Sequence, residues 1–491
     1  MIRRKRNGMR DRRSLPLRAL RSVSLCLALG TVALLAANGQ VLAQSSGATD
    51  TATEGQVKPQ IIQNPTIPSI PDPEPSFATA KKDAVLVRPR PEYGAIGLEA
   101  GGIISDITWL GRGQPFESFL LFPKVDVGLT FDDNVFADGN AQVVDFVGSV
   151  KPSLKLISNW DNHEFFVEAR GRFTRNLLEG RESVREHGFS VGGKLEISEF
   201  EFLRLTAAFD RKTTPRGDPI QDVGGDEPGV HYDTSLDGVW EYQRDKFLWR
   251  AKAGIKRFDF VDVPAGAGVI EADRNDRIEM VASARVGYEA WDGTTLFFEP
   301  GIKTAIYRLQ FDNSGVERDF VSIFAKAGFT YDLTAVTFLE GAIGAGHLIL
   351  DDANARNLTF FDASLDLVWN PHDSWTFTAG LSRDVVGTTA TTAVGNNLIP
   401  DIAVISTTMS LGAQLEVTYE LLAAMQTSLK RSSAVSGGTD DNTIANELSL
   451  LWLMNEHMRL RTFWEMTKLF SSDTTRQFLR NRIGVVLTLH Y

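Results

Sequence analysis

From Phe116 to the end of the chain, apolar and polar side chains take turns at every second position, and no helical stripe runs beyond about two turns. The last segment shows the pattern best. Ile483, Val485, Leu487, Leu489 and Tyr491 are apolar; Arg482, Gly484, Thr488 and His490 lie between them, with Val486 the one apolar exception. Upstream, Leu203, Leu205, Ala207 and Phe209 alternate with Arg204, Thr206, Ala208 and Asp210. Phe247, Trp249, Ala251, Ala253 and Ile255 alternate with Leu248, Arg250, Lys252, Gly254 and Lys256. Ile278 to Tyr288 and Phe361 to Trp369 repeat the alternation, with Arg277, Glu279, Arg285, Asp362 and Asp366 on the polar side. Each such segment is a strand with one greasy and one wet face.

A soluble sandwich alternates too, so strand length and connection length decide between the two. The alternation predicts about 18 strands, many of roughly 12–15 residues, where soluble sheets average 5–6 and a tilted membrane strand needs about 9–11 in the apolar zone. Short connections are expected near Asn159–His163, Ser198–Phe200, Gln243–Lys246, Ala290–Thr294, Asp332–Ala335, Asn370–Ser374, Tyr419–Leu421 and Asn455–His457. Longer ones fall between them, among them Asp132–Gln142, Lys212–Val230, Asp259–Asn275 and Val385–Asp401. That alternation fits an even-stranded transmembrane barrel of about 16–18 antiparallel up-and-down strands, with tight periplasmic turns and longer external loops. Trp160, Tyr242, Tyr288, Trp291, Tyr331, Trp369, Trp375, Tyr419 and Trp452 lie beside the short turns, where an amphipathic ring would sit at the membrane boundary. Closure follows from lipid offering the backbone no hydrogen-bond partner.

The front of the chain is different. Residues 1–21 carry nine Lys/Arg against Asp11, and an apolar Val23–Ala37 leads to Val41-Leu42-Ala43. This is the order of a secretory signal peptide, with cleavage expected after Ala43. The formal charge of the whole chain is −11, so removing this local +8 leaves −19, which argues against nucleic-acid binding. The one cysteine, Cys26, leaves with the signal, so neither a disulfide framework nor a cysteine metal site is expected. Residues 44–92, with Pro65, Pro68, Pro71, Pro73, Pro75, Pro89 and Pro91, read as a disordered periplasmic arm. Residues 93–115 are a more apolar segment able to dock, and 116–491 form the barrel.

The lumen-facing candidates carry mixed charge. They are Glu164, Glu168, Arg170, Arg172, Arg204, Arg250, Lys252, Lys256, Arg277, Glu279, Arg285, Asp362, Asp366, Arg459, Arg461 and Glu465. They suit an ion filter or a guide for a polar polymer, and equally a hydrated, salt-bridged wall. Asp132-Asp133-Asn134 and Asp138-Gly139-Asn140 do not have the spacing of a calcium loop and read as turn chemistry, so no metal and no cofactor are expected. Lys212–Val230, rich in Pro and Gly, is long enough to enter the pore or to stay at the surface. The seven histidines are scattered. His347 near Asp351 and Asp352 is the best pair for an enzyme, but it lacks a nucleophile, and the chain is not read as one.

Two segments carry resemblances. The terminal Gly484–Tyr491, with Val485, Leu487, Leu489 and Tyr491 on one face, resembles the assembly signal of bacterial outer-membrane barrels, which implies recognition by the barrel-assembly machinery. Phe119–Phe136, with Pro123 ahead of the first strand and Asp133-Asn134-Val135-Phe136 after it, resembles the opening of the putative β-barrel porin 2 family of Gram-negative bacteria. That resemblance implies residence in outer-membrane lipid and passage of a polar solute. Through relatives associated with extracellular polysaccharide, it also implies secretion of such a polymer together with periplasmic export components. A general or substrate-specific diffusion porin and a non-conducting structural or adhesive barrel are the alternatives.

Overall fold

The computed structural model describes residues 113–218, 225–311, 317–334, 337–351, 357–372, 374–383, 386–387, 397–428 and 441–491. The signal peptide, the Pro-rich arm and all of the 93–115 segment except its last three residues lie outside these. Eighteen antiparallel strands form one closed barrel. In chain order they are β1 (Phe119–Asp132), β2 (Asp145–Ser158), β3 (Glu164–Asn176), β4 (Arg185–Ser198), β5 (Glu201–Thr213) and β6 (Val230–Arg244). Then come β7 (Phe247–Val261), β8 (Arg277–Trp291), β9 (Thr294–Tyr307), β10 (Phe320–Thr334), β11 (Thr337–Leu350) and β12 (Leu358–His372). The last six are β13 (Trp375–Arg383), β14 (Asn397–Ser410), β15 (Leu415–Ser428), β16 (Asp441–Asn455), β17 (Met458–Ser471) and β18 (Phe478–His490). No helix among the described residues is long and apolar enough to cross a bilayer.

Each strand pairs with its sequence neighbour, and β1 pairs with β18 from Lys124↔His490 to Asp132↔Arg482. That pairing removes the two edges a membrane would not tolerate. Because side chains alternate across a strand, one set lines the inside and the other faces out. The outer set is greasy and exposed: Ile343, Phe361 and Ile483 are 64%, 54% and 56% accessible. In water this would be an aggregation liability; in a bilayer it is the contact surface.

One rim carries short turns and the other long loops. At the short-turn rim, Gly412 (φ 78°) and Gly293 (φ 69°) supply the left-handed corner that a two- to four-residue turn demands. The rings there meet one another: Phe119 with Trp160 at 5.7 Å, Phe247 with Tyr288 at 5.2 Å, and Trp369 with Trp375 at 6.2 Å between centroids. Gln114–Phe116 folds back on Phe119–Leu121 at this same rim.

One expected turn is in the wrong place. Tyr419–Leu421 lies inside β15, where Tyr419 pairs with Thr407 and Leu448. The chain turns instead at residues 411–414, and Leu411 N–H donates to the Leu415 carbonyl at 2.7 Å. The apolar run Leu421-Leu422-Ala423-Ala424 blurs the alternation, and Leu-Gly-Ala-Gln is a weak turn signal beside the polar stretches flanking it.

Candidate functional site

Every strand contributes to the inner wall, and the chemistry of that wall is set by parity. On β3 the inward residues are Glu164, Phe166, Glu168, Arg170, Arg172 and Thr174, because Phe165, Val167 and Phe173 face lipid. The same rule puts Arg204 (β5), Arg250, Lys252 and Lys256 (β7), Arg277, Glu279 and Arg285 (β8), Asp362 and Asp366 (β12), and Arg459, Arg461 and Glu465 (β17) on the inner face. All sixteen charged positions singled out by alternation therefore share one face of the barrel.

The structure adds their partners. Arg172 makes a two-pronged contact with Glu186, both bonds at 2.8 Å. Asp233 accepts Lys212 at 3.1 Å and Lys256 at 3.4 Å, so one β6 carboxylate ties β5 to β7. Arg250 reaches Glu241 at 2.6 Å, Arg277 reaches Glu279 at 2.7 Å, and Arg285 reaches both Glu299 at 2.6 Å and Glu340 at 2.9 Å. Lys326 meets Asp362 at 2.7 Å, and Arg461 and Arg482 pair with Glu447 and Glu465. Reading by strand alternation would also have found Glu186, Asp233, Glu299, Lys326 and Glu340. Their strands alternate less cleanly, so the sequence signal at these five positions is weaker.

These pairs form a belt. Register sets Glu241 beside Arg250 and Arg250 beside Arg285. The Arg285–Glu299 contact carries it to β9, and register then sets Glu299 beside Lys326, Lys326 beside Gly344 and Gly344 beside Asp362. Inner aromatic rings are capped by cations: Arg285 stands 3.8 Å from the Phe297 centroid, Arg277 4.1 Å from Phe258, and Arg461 4.9 Å from Phe463. Every described tryptophan, by contrast, stands on the outer face or at a turn.

At the long-loop rim two segments lean inward. Thr214, Pro215, Arg216, Gly217 and Asp218 cross toward β18, where Gly217 lies against the Phe478 ring and Ala137. Arg216 is bound there by Glu182 at 2.7 and 3.0 Å and by the Gly225 carbonyl at 2.9 Å. A cavity of about 150 Å³ remains beneath, lined by Lys151, Arg172, Arg480 and Arg482 together with Asp132 and Glu182. Of the two options for Lys212–Val230, its described part takes the inward one. On the opposite side Ala272 packs on Phe258 and Phe260, and Arg318 binds Asn275 at 2.7 Å while stacking on Tyr307 at 4.2 Å.

The Asp132-Asp133-Asn134 run does more than turn the chain. Asp132 binds Arg480, Asp133 accepts the Asn481 N–H at 2.6 Å and its side-chain amide at 2.8 Å, and Asn134 donates to the Leu479 carbonyl at 3.0 Å. All three partners belong to β18, so the run clasps the first strand to the last. Spacing alone gave no hint of this, because the partners are more than 340 residues away.

Glu317, Asp319 and Asp351 converge at the loop rim with carboxylate oxygens within 4.8 Å of one another, the described acids close enough to share a cation. Burial, and then repulsion from Asp351 and Glu317, raises the Asp319 carboxyl to about 6, against a lowering hydrogen bond from the Tyr307 N–H. His347 faces outward from β11; its Nδ1 lies 2.9 Å from the Thr359 hydroxyl, and Asp352 lies outside the described residues.

Solved structures similar to this chain include the outer-membrane protein OpdK of Pseudomonas aeruginosa, at 12% identity and TM-score 0.42, covering 76% of this chain and 99% of that one. OprD of the same organism stands at 12% identity and TM-score 0.39, covering 78% and 98%. Its ferric enterobactin receptor PfeA stands at 9% identity and TM-score 0.41, covering 76% and 80%. No curated protein matches the chain. The model of the family described as putative beta-barrel porin 2 matches residues 111–491, the whole of the closed barrel, and the chain belongs to that family.

Proposed function

We propose that the protein is an outer-membrane conduit for neutral, polyhydroxylated solutes, with exopolysaccharide in transit as its cargo. The observation that carries this reading is the charge pairing of the inner wall. A wall with one sign of charge uppermost would concentrate counter-ions and filter by charge. Here Glu241, Arg250, Arg285, Glu299, Lys326 and Asp362 compensate one another around the belt. What a passing molecule meets is a wall with little net field, which suits an uncharged, hydroxyl-bearing solute better than an ion.

The aromatic groups favour passage over capture. Sugar rings are held by stacking on open aromatic faces, and the inner rings of Phe258, Phe297 and Phe463 have cations over them instead. Hydrogen bonds that exchange readily with water let a polymer slide. The segment Thr214–Asp218, which lines the cavity at the loop rim, stands where it would narrow the passage. Polysaccharide as the particular cargo rests on the resemblance of the Pro123 and Asp133–Phe136 segment to relatives associated with polymer secretion.

The test has two arms. Removing the protein from its host should trap polymer in the periplasm while its synthesis continues; unchanged secretion with the other export components intact refutes the polymer cargo. In planar bilayers the purified barrel should conduct with weak ion selectivity. Steady conductance with normal polymer secretion in its absence would favour a diffusion porin instead.

A further inference from the structure

The lipid-facing surface changes character abruptly at one place. On β3 the outward set runs Phe165, Val167, Ala169, Gly171, Phe173 and then Arg175. On β4, read toward the same rim, Phe189 gives way to His187 and Arg185; on β5, Phe209 gives way to Arg211. Register brings these together: Phe173 is opposite Arg185, and His187 is opposite Arg211. Arg211 also donates to the Arg185 carbonyl.

Arg175, Arg185 and His187 are exposed and Arg211 is half-buried. Among the described residues none of the three arginines has an acidic partner, in a protein whose inner arginines almost all do. On β7 of the same outer surface Arg257 is paired with Asp259 at 2.7 Å. At the loop ends of β8, β10, β12 and β16 the outward positions are Ile278, Val321, Thr359 and Ile444, none of them charged, and β17 presents a single outward lysine, Lys468, over the Phe470 ring. So the cations form one cluster at the external boundary of the apolar band rather than a general rim.

We propose that the outward arginines Arg175, Arg185 and Arg211 are a docking site for the phosphate groups of an outer-leaflet glycolipid, with Phe173, Phe189 and Phe209 beneath them against its acyl chains. The position fits, since a phosphorylated glycolipid carries its anions at the depth where the barrel's grease ends. The chemistry fits as well. A planar guanidinium gives two parallel hydrogen bonds to a phosphate, and three on adjacent strands match a headgroup bearing more than one. Unpaired arginines facing a membrane surface otherwise have no compensation, whereas anionic headgroups attract each one.

The site rests on the membrane placement argued above but not on the nature of the cargo. The full chain, folded in detergent micelles, is titrated with diphosphoryl lipid A and with the same lipid dephosphorylated, and bound lipid is counted by native mass spectrometry. The phosphorylated form should bind at least about tenfold more tightly. Arg175→Gln, Arg185→Gln and Arg211→Gln together should abolish that preference, the three Arg→Lys changes should keep most of it, and Lys468→Gln on β17 should leave it intact. Retention of the heat-dependent gel shift of a closed barrel certifies that each variant folds. Equal binding of the two lipids, or a preference that survives the triple Gln change, overturns the proposal. So does a triple variant that alters the number of chains per particle while keeping its lipid preference, which would make this a surface between copies.

Discussion

Arg170 and Asp210 stand two strands apart, on β3 and β5, yet their charged atoms are 2.6 Å from each other. The strand between them contributes Gly188, which is opposite Arg170 on one side and Asp210 on the other. A Cβ on Gly188 would fall inside the Asp210 carboxylate and close to the Arg170 guanidinium. The glycine is the gap through which the ion pair reaches. Lys326, Gly344 and Asp362 repeat the arrangement on β10, β11 and β12.

Gly188→Ala should therefore break the Arg170–Asp210 pair while leaving every backbone bond possible. The expected destabilisation is about 1–3 kcal/mol, the usual penalty of forcing a methyl into a filled site. Urea-induced unfolding of the barrel in lipid vesicles measures it. In an Asp210→Ala background the same change should cost much less, since the clashing carboxylate is gone; equal costs in both backgrounds would mean the glycine serves something else.

The inward segment at the loop rim depends on Arg216. Its side chain and that of Glu182 are 10% and 4% exposed, so Arg216→Ala leaves a buried carboxylate uncompensated. Losing one member of such a pair typically costs about 3–5 kcal/mol. Here the loop can swing out instead of the barrel unfolding. Single-channel conductance should rise and the largest neutral polymer able to enter the pore should become larger, with the melting of the barrel nearly unchanged. Unaltered conductance would show that Thr214–Asp218 does not set the width.

Much of this was legible in the chain, for a physical reason. A membrane barrel faces two solvents, lipid and water, so its side chains must sort by parity, and parity is visible in sequence. That is how Arg250, Glu279 and Asp366 could be assigned to the inner wall without coordinates. Pairing was not legible, because Arg170 and Asp210 meet only through the geometry of a third strand. Nor was the direction of Thr214–Asp218, since a Thr-Pro-Arg-Gly stretch suits an exposed loop as well as a buried one. The turn at 411–414 was hidden by a locally apolar β15.

The loop rim should respond to acid through Asp319. Its carboxyl titrates near 6 rather than at 3.8, because burial and the neighbouring Asp351 and Glu317 charges disfavour ionisation. A carboxyl raised in the folded state holds its proton where the unfolded chain has lost it, so its contribution to stability falls as pH rises from 3.8 to about 6 and stays lower above. Taking the protein from pH 7 to pH 5 should slow amide exchange at Tyr307, whose N–H donates to Asp319 at 2.8 Å. Asp319→Asn keeps an acceptor without the charge and should make that exchange rate independent of pH across the window, once intrinsic exchange is divided out.

Barrel closure should depend on the clasp. Asp132 is 1% exposed and binds Arg480 across the β1–β18 seam. Asp132→Ala strands the guanidinium and should cost about 3–5 kcal/mol. Asn134→Ala removes three neutral hydrogen bonds, to Leu479, Asp138 and the Asp138 N–H, worth roughly 1 kcal/mol each. Both variants should accumulate unclosed chains, read as loss of the heat-dependent gel shift, with Asp132→Ala the worse. Normal closure in both would demote the run to a simple turn.

Charge balance in the belt makes the last prediction, and its sign can be worked out from the neighbours. Lys326 and Asp362 are 3% and 5% exposed, so their fields are poorly screened and removing one alters the potential of the lumen beside it. Lys326→Met leaves the Asp362 charge in excess while Glu299 and Glu340 keep Arg285, and the reversal potential in a potassium chloride gradient should move toward potassium. Asp362→Asn leaves the lysine in excess and should move it toward chloride. Each single change also takes the 2.7 Å ion-pair partner from a buried charge and should destabilise the barrel, whereas Lys326→Met with Asp362→Leu removes both charges and should restore stability and weak selectivity together. If the two single variants conduct with the wild-type reversal potential, ions do not pass this belt, and the wall pairing could no longer be taken as the reason for a neutral cargo.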